Sequence, residues 1–85
     1  MTYRLEFSKP AVKQFKSLPL QEQKRLKPKI DALAKEPRPI GVVKLSGEEN
    51  FYRIRVGNYR IIYAIEDDQL VVLVVKVGHR RDIYR

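Results

Sequence analysis

The first apolar pattern in the chain is an alternation. In residues 2–7, Tyr3, Leu5 and Phe7 fall on one side, which predicts a half-buried strand. The period then lengthens. Ala11, Val12, Phe15 and Leu18 form a helical stripe, Ser8 is placed to cap it, and Pro10 fits its first turn, where no hydrogen bond is lost. Pro19 ends that helix. A second is expected from Leu20 to about Lys35, with Leu26, Ile30, Leu33 and Ala34 on its apolar face and Lys24, Arg25, Lys27 and Lys29 on its basic outer face. Pro28 should kink or split it. Residues 36–41, with two prolines and a glycine, read as a loop.

From Val42 alternation returns, predicting strands at about 42–45, 50–56, 59–66 and 70–78. Gly57-Asn58 and Asp67-Asp68 read as turns, so the strands form an antiparallel meander. The pattern describes one α+β domain over residues 1–85, in the order β-α-α-β-β-β, with two N-terminal helices packed on one face of an antiparallel sheet.

The hairpin at 51–63, FYRIRVGNYRIIY, poses a problem. A two-residue Gly57-Asn58 turn sets Val56 opposite Tyr59, Arg55 opposite Arg60, Ile54 opposite Ile61 and Tyr52 opposite Tyr63. One face is then apolar and suits the helices. The other carries Phe51, Arg53, Arg55, Arg60, Ile62 and Ala64, although facing cations destabilise a sheet. Counted onward from Asp67-Asp68, Arg60 faces Val75, and Ile62, Leu73 and Val75 form a shelf beneath the arginines. The last strand then brings His79 and Arg80 toward the same end. The competing reading is that Glu48, Glu49 or Asp82 neutralises the arginines.

Charge gives this face a purpose. The 85 residues carry 18 Lys and Arg against 10 Asp and Glu, a net charge of +8, as expected of a domain that meets a polyanion or an acidic protein. With no cysteine, disulfides, thiolate zinc sites and cysteine nucleophiles are excluded. The N-terminus has no apolar signal core and no stretch reaches membrane-spanning length, so a cytoplasmic protein is the default. No carboxylate pair falls on the arginine face, a lone histidine makes no metal site, and no phosphate-cradling glycine loop is present, so neither metal nor cofactor is expected. Arginine, one histidine and tyrosines can still cleave RNA. The 2′-hydroxyl attacks the adjacent phosphorus while guanidinium groups neutralise the charge that builds up. His79 is the side chain whose ordinary pKa suits proton transfer near neutrality.

Three stretches, KLSG (44–47), FYRIRVGNYRIIY (51–63) and VGHRRDIYR (77–85), together resemble the RelE/ParE toxin superfamily and its RelE branch in particular. The resemblance implies a RelE-like microbial ribonuclease-type fold. It also implies a toxin of a type II toxin–antitoxin system, a ribosome-dependent endoribonuclease that cuts mRNA in the ribosomal A site. A RelB-like antitoxin would neutralise it, and operator DNA would be met only through the antitoxin complex. Carried over by motif, Arg53 and Arg55 stand where the best-known members have lysine. Arg60 and Arg80 match arginines that stabilise the transition state, and Tyr84 matches a tyrosine that stacks on or orients the base. His79 lies beside Arg80, and Lys44, Arg81 and Arg85 join as RNA-binding cations. An arginine cannot lose its proton as a lysine can, so Arg55 cannot copy a lysine base. Either His79 takes that role, or the base is weak or supplied by the ribosome. Two alternatives share the fold: a ParE-like inhibitor that binds DNA gyrase, and a degenerate toxin that serves mainly as an antitoxin-binding partner.

Overall fold

The computed structural model describes residues 2–47 and 50–83. The chain runs through β1 (Arg4–Phe7), α1 (Lys9–Lys16), α2 (Leu20–Ala32), β2 (Val43–Lys44), β3 (Phe51–Val56), β4 (Tyr59–Glu66) and β5 (Val71–His79). Ser8 caps α1 as its position suggests: its Oγ accepts the Ala11 N–H at 3.2 Å, satisfying one of the first-turn donors. Pro28 does not divide α2, which runs unbroken from Leu20 to Ala32. Leu26 and Ile30, one to either side of that proline, are both fully buried, so packing on the sheet offsets the lost backbone hydrogen bond.

The five strands form one sheet in the order β1-β5-β4-β3-β2. The expected α+β layering holds, and the strand expected at about 42–45 is the two-residue β2. One pairing departs from a wholly antiparallel sheet: β1 lies parallel to β5, Leu5 beside Val72 and Phe7 beside Val74. A parallel neighbour requires a long crossover, and here both helices and three strands lie between the two in sequence. The helices cover one face. Leu26, Ile30 and Leu33 meet Ile61, Tyr63, Ile65, Val72 and Val74, all at most 2% exposed.

The register of β5 differs from the sequence expectation in two ways. Glu66 pairs with Val71, so the turn is the four residues 67–70, with Leu70 in the left-handed region at φ 54°. Leu70 therefore belongs to the turn and not to the last strand, where the sequence put it. Farther along, Tyr63 pairs with Val74 but Ile62 pairs with Lys76, which leaves Val75 as the extra residue of a β-bulge. The longer turn slides the register by two and keeps the faces. The bulge adds one and exchanges them. As a result Arg60 lies opposite Gly78, not Val75, and Tyr59 lies opposite His79.

Candidate nucleic-acid interface

The hairpin of β3 and β4 is paired as its sequence dictates: Tyr52 with Tyr63, Arg53 with Ile62, Ile54 with Ile61, Arg55 with Arg60 and Val56 with Tyr59. Gly57 takes φ +59° while Asn58 stays at negative φ, which is the demand of a type II′ turn for glycine at its first central position. This tight turn fixes the register, and the register sends Arg53, Arg55 and Arg60 away from the helices. Across the sheet, Val43, Arg53, Ile62 and Lys76 form one row, and Arg55, Arg60 and Gly78 form the next. Arg60 is anchored on the tip, its Nη1 donating to the Gly57 carbonyl at 3.2 Å and the Tyr59 carbonyl at 3.1 Å. Arg55 is exposed, and Arg53 and Arg60 are half-buried.

The chain end is drawn to the same tip. The Arg80 N–H donates to the Asn58 carbonyl at 2.7 Å, and the turn after β5 is closed by bonds from the Asp82 and Ile83 N–H groups to the His79 carbonyl. Ile83 is 4% exposed, and its Cδ1 would lie 3.6 Å from a Cβ on Gly78, so it packs beside the glycine opposite Arg60. The Arg80 backbone thus joins the hairpin tip, with Arg81 exposed beside it. Tyr84 and Arg85 lie outside the described residues, as do Glu48 and Glu49.

Two candidates do not fall with the arginines. The bulge puts His79 in the row of Tyr59, on the helix side of the sheet, where the two rings meet edge to face at 5.5 Å. Its Nδ1 accepts the Arg81 N–H at 3.1 Å. Lys44 pairs with Tyr52, again on the helix side. The same bulge brings in a residue that the sequence reading passed over, Lys76, on the row of Arg53. Its signal was unreadable, because nothing in VVLVVKVGH marks the extra residue.

A second omission is Arg25. The sequence puts it on the outer face of α2, yet its guanidinium lies against the hairpin tip. A Cβ on Gly57 would overlap its Nη2 and sit 2.8 Å from its Cζ.

The strongly perturbed ionisable groups lie at the other end of the sheet. There Arg38, from the Pro-Arg-Pro loop, donates to both Asp67 carboxylate oxygens at 3.3 and 2.8 Å and to the Tyr52 hydroxyl at 3.3 Å, with its charge 5.2 Å from the Tyr52 ring centre. Tyr3 donates to Asp67 at 2.6 Å. Hydrogen bonds from Arg38, then from Tyr3, hold the Asp67 carboxyl below its ordinary value, and the same contact with Asp67 raises Tyr3. Burial pushes the Tyr63 phenol well up, and its hydroxyl donates to the Pro37 carbonyl at 2.7 Å. This cluster fastens the loop at 36–41 to the sheet and touches none of the hairpin-tip arginines. Its perturbation is structural, as ion-pair networks often make it. Among the described residues no group of three or more His, Cys, Asp or Glu could hold a metal ion, and no helix is long and apolar enough to cross a membrane.

Residues 5–84 match the family described as the ParE toxin of the type II toxin–antitoxin system, parDE. The mRNA interferase toxin RelE of Escherichia coli is 34% identical, over 94% of this chain and 85% of its own length. The chain belongs to the RelE/ParE toxin superfamily, in its RelE-like branch. Solved RelE structures share the whole architecture. The archaeal RelE–RelB complex from Pyrococcus horikoshii OT3 superposes with a TM-score of 0.82 at 36% identity, covering 96% of this chain and 99% of that one. The intact E. coli RelBE toxin–antitoxin complex gives 0.80 at 32% identity, covering 91% and 95%. Membership in the RelE-like branch therefore extends across the helices, the sheet and the arginine hairpin alike.

Proposed function

We propose that this chain is the toxin of a type II toxin–antitoxin pair, an endoribonuclease that cleaves translated mRNA in the ribosomal A site and is inhibited by a RelB-like antitoxin. The observation that carries the reading is the Arg55–Arg60 pair, set directly across the hairpin on the face away from the helices, with Arg53 and Lys76 in the adjoining row. Facing cations weaken a sheet unless a polyanion occupies them.

The chemistry follows from what guanidinium groups can do. The 2′-oxygen of the substrate attacks the neighbouring phosphorus and loses its proton. The bond to the 5′-oxygen breaks, leaving a cyclic phosphate on one fragment, and the departing oxygen takes up a proton. Charge accumulates on the non-bridging phosphate oxygens at the crowded intermediate stage. Arg55 and Arg60 stand directly across from each other on one face, so their guanidinium groups meet that charge together in the transition state. Arg60 is the more strongly held, through its two carbonyl contacts. Arg80, delivered by its backbone bond to Asn58, would add a second clamp, and Tyr84 would orient the base. Neither Arg53 nor Arg55 can accept the 2′-proton. With His79 on the helix side, that proton goes to water or to a group of the ribosome. The arginine face supplies the electrostatic part of catalysis, and cytoplasmic ribosomes are the setting the reading requires. Operator DNA would be met only by the toxin–antitoxin complex.

The test is expression in cells, with primer extension on a translated message. Codon-phased cuts that vanish in Arg60→Ala are expected; growth arrest with intact mRNA refutes the reading. Because the matched family is described as ParE, a DNA supercoiling assay with purified gyrase belongs beside it. Inhibition there without mRNA cleavage selects the gyrase-binding alternative.

A further inference from the structure

We infer that Arg25 of α2 is a phosphate-binding residue of the RNA site, extending it over the hairpin tip onto the flank of the second helix. This rests on the nuclease reading above. The first observation is the place of the guanidinium. It occupies the space that a Cβ on Gly57 would fill, while the carbonyl of that same Gly57 accepts from Arg60. One residue of the turn is therefore gripped by arginines from two different elements. Glycine is required there for its positive φ, and its lack of a side chain leaves the space that Arg25 occupies.

The second observation is availability. The Arg25 side chain is 52% exposed, and its ion-pair partner Glu22 stands 3.7 Å away, a long separation for two charged groups. A guanidinium offers five donors in a rigid fork. A contact with glycine and one long ion pair leave most of that fork for an incoming phosphate.

The third is continuity. Lys29, one turn further along α2, lines a cleft of about 660 Å³ together with Arg55 and Val56 at the edge of β3. Arg60, Arg25 and Lys29 thus form a cationic path from the arginine face around the tip to the helix flank. A single strand of RNA is the occupant that fits, since its phosphates recur along a backbone able to turn over such a ridge. An acidic peptide would favour the lower cleft, where Ile40, Val43 and Ile54 supply apolar lining. At the tip itself Arg25 meets only the glycine turn and Glu22 among the contacts described.

The test uses purified full-length protein and ribosomes programmed with a message and an empty A site. Single-turnover cleavage is followed against toxin concentration at several salt concentrations. For Arg25→Gln, and for Arg25→Met as a second neutral variant that preserves the apolar stem, the half-saturating concentration should rise about tenfold, as for loss of one charge-assisted contact. The rate at saturation should stay within about twofold of wild type. The slope of log affinity against log salt should become shallower by about 0.7, the share of one phosphate on a single strand. Arg25→Lys should keep the wild-type slope. A saturated rate that falls while the slope stays fixed makes Arg25 a brace for the turn and overturns the inference. So does lost affinity for an acidic antitoxin peptide with RNA binding unchanged. Wild-type protein that cleaves nothing overturns the nuclease reading itself, a result distinct from either.

Discussion

Removing one oxygen atom, in Tyr63→Phe, tests how the Pro-Arg-Pro loop is held. The Tyr63 side chain is 0% exposed, and its hydroxyl donates to the Pro37 carbonyl at 2.7 Å. Pro37 is itself buried, so the carbonyl loses this donor where water has poor access. Phenylalanine preserves the ring and its packing against Tyr52, 6.1 Å away between centres, so the perturbation is confined to the hydrogen bond. A buried carbonyl stripped of its partner costs about 1–3 kcal/mol. In a domain of this size each kcal/mol shifts the melting temperature by roughly 4–8 °C. At about 2 kcal/mol the variant should melt roughly 8–16 °C lower. Circular dichroism melts and urea titrations measure this directly, and an unchanged urea dependence would show that the denatured state is not responsible. Tyr52→Phe is the internal comparison. Its hydroxyl meets Arg38 at 3.3 Å, and Arg38 keeps its two bonds to Asp67, so the loss should stay below about 1 kcal/mol. A Tyr63→Phe melt within about 2 °C of wild type would refute the assignment of the loop's anchorage to this bond.

Other consequences are equally direct. Gly57→Ala forces a side chain into positive φ and displaces Arg25, and should lower stability by about 1–2 kcal/mol in the same melts. Arg55→Thr relieves the repulsion across from Arg60 and should raise stability by about 0.2–1 kcal/mol while cleavage falls; reduced cleavage with lower stability would contradict the account. His79→Ala should lose less than about threefold in cleavage where Arg60→Ala loses about 100-fold. A loss comparable to that of Arg60→Ala would mean that the imidazole reaches across to the arginine face. The Asp67 carboxyl is lowered in the folded state, so its stabilising contribution is present above the ordinary value of 3.8 and is lost as pH falls through the lower folded value. The stability gap between wild type and Asp67→Asn should therefore be constant near neutrality and close in acid, as followed by urea titration at each pH.

How much of this was legible beforehand depended on how locally each feature is encoded. The register of β3 against β4 could be counted residue by residue, because a two-residue Gly-Asn turn admits one pairing and alternation does the rest. Arg53, Arg55 and Arg60 were placed correctly on one face for that reason. The first helix was equally readable from Ser8, Pro10 and Pro19. Pro28 does not split the helix: the preference for a split comes from backbone chemistry alone, while continuity comes from burying Leu26 and Ile30 on the sheet.

The sequence by itself determined the elements, the arginine hairpin and the kinship with RelE. These rest on periodicities and turn residues that act over a few positions. Only the tertiary structure decided what stands beside that hairpin. A four-residue turn slid the register of β5 by two, and a bulge at Val75 then moved His79 to the helix side and brought Lys76 to the arginine face; neither is marked by a glycine. Packing of α2 against the sheet carried Arg25 to Gly57 over 31 residues of intervening chain. A sheet has a side-chain period of two, so one extra residue reverses every side chain beyond it, and a helix side chain finds its partner only once the layers have docked.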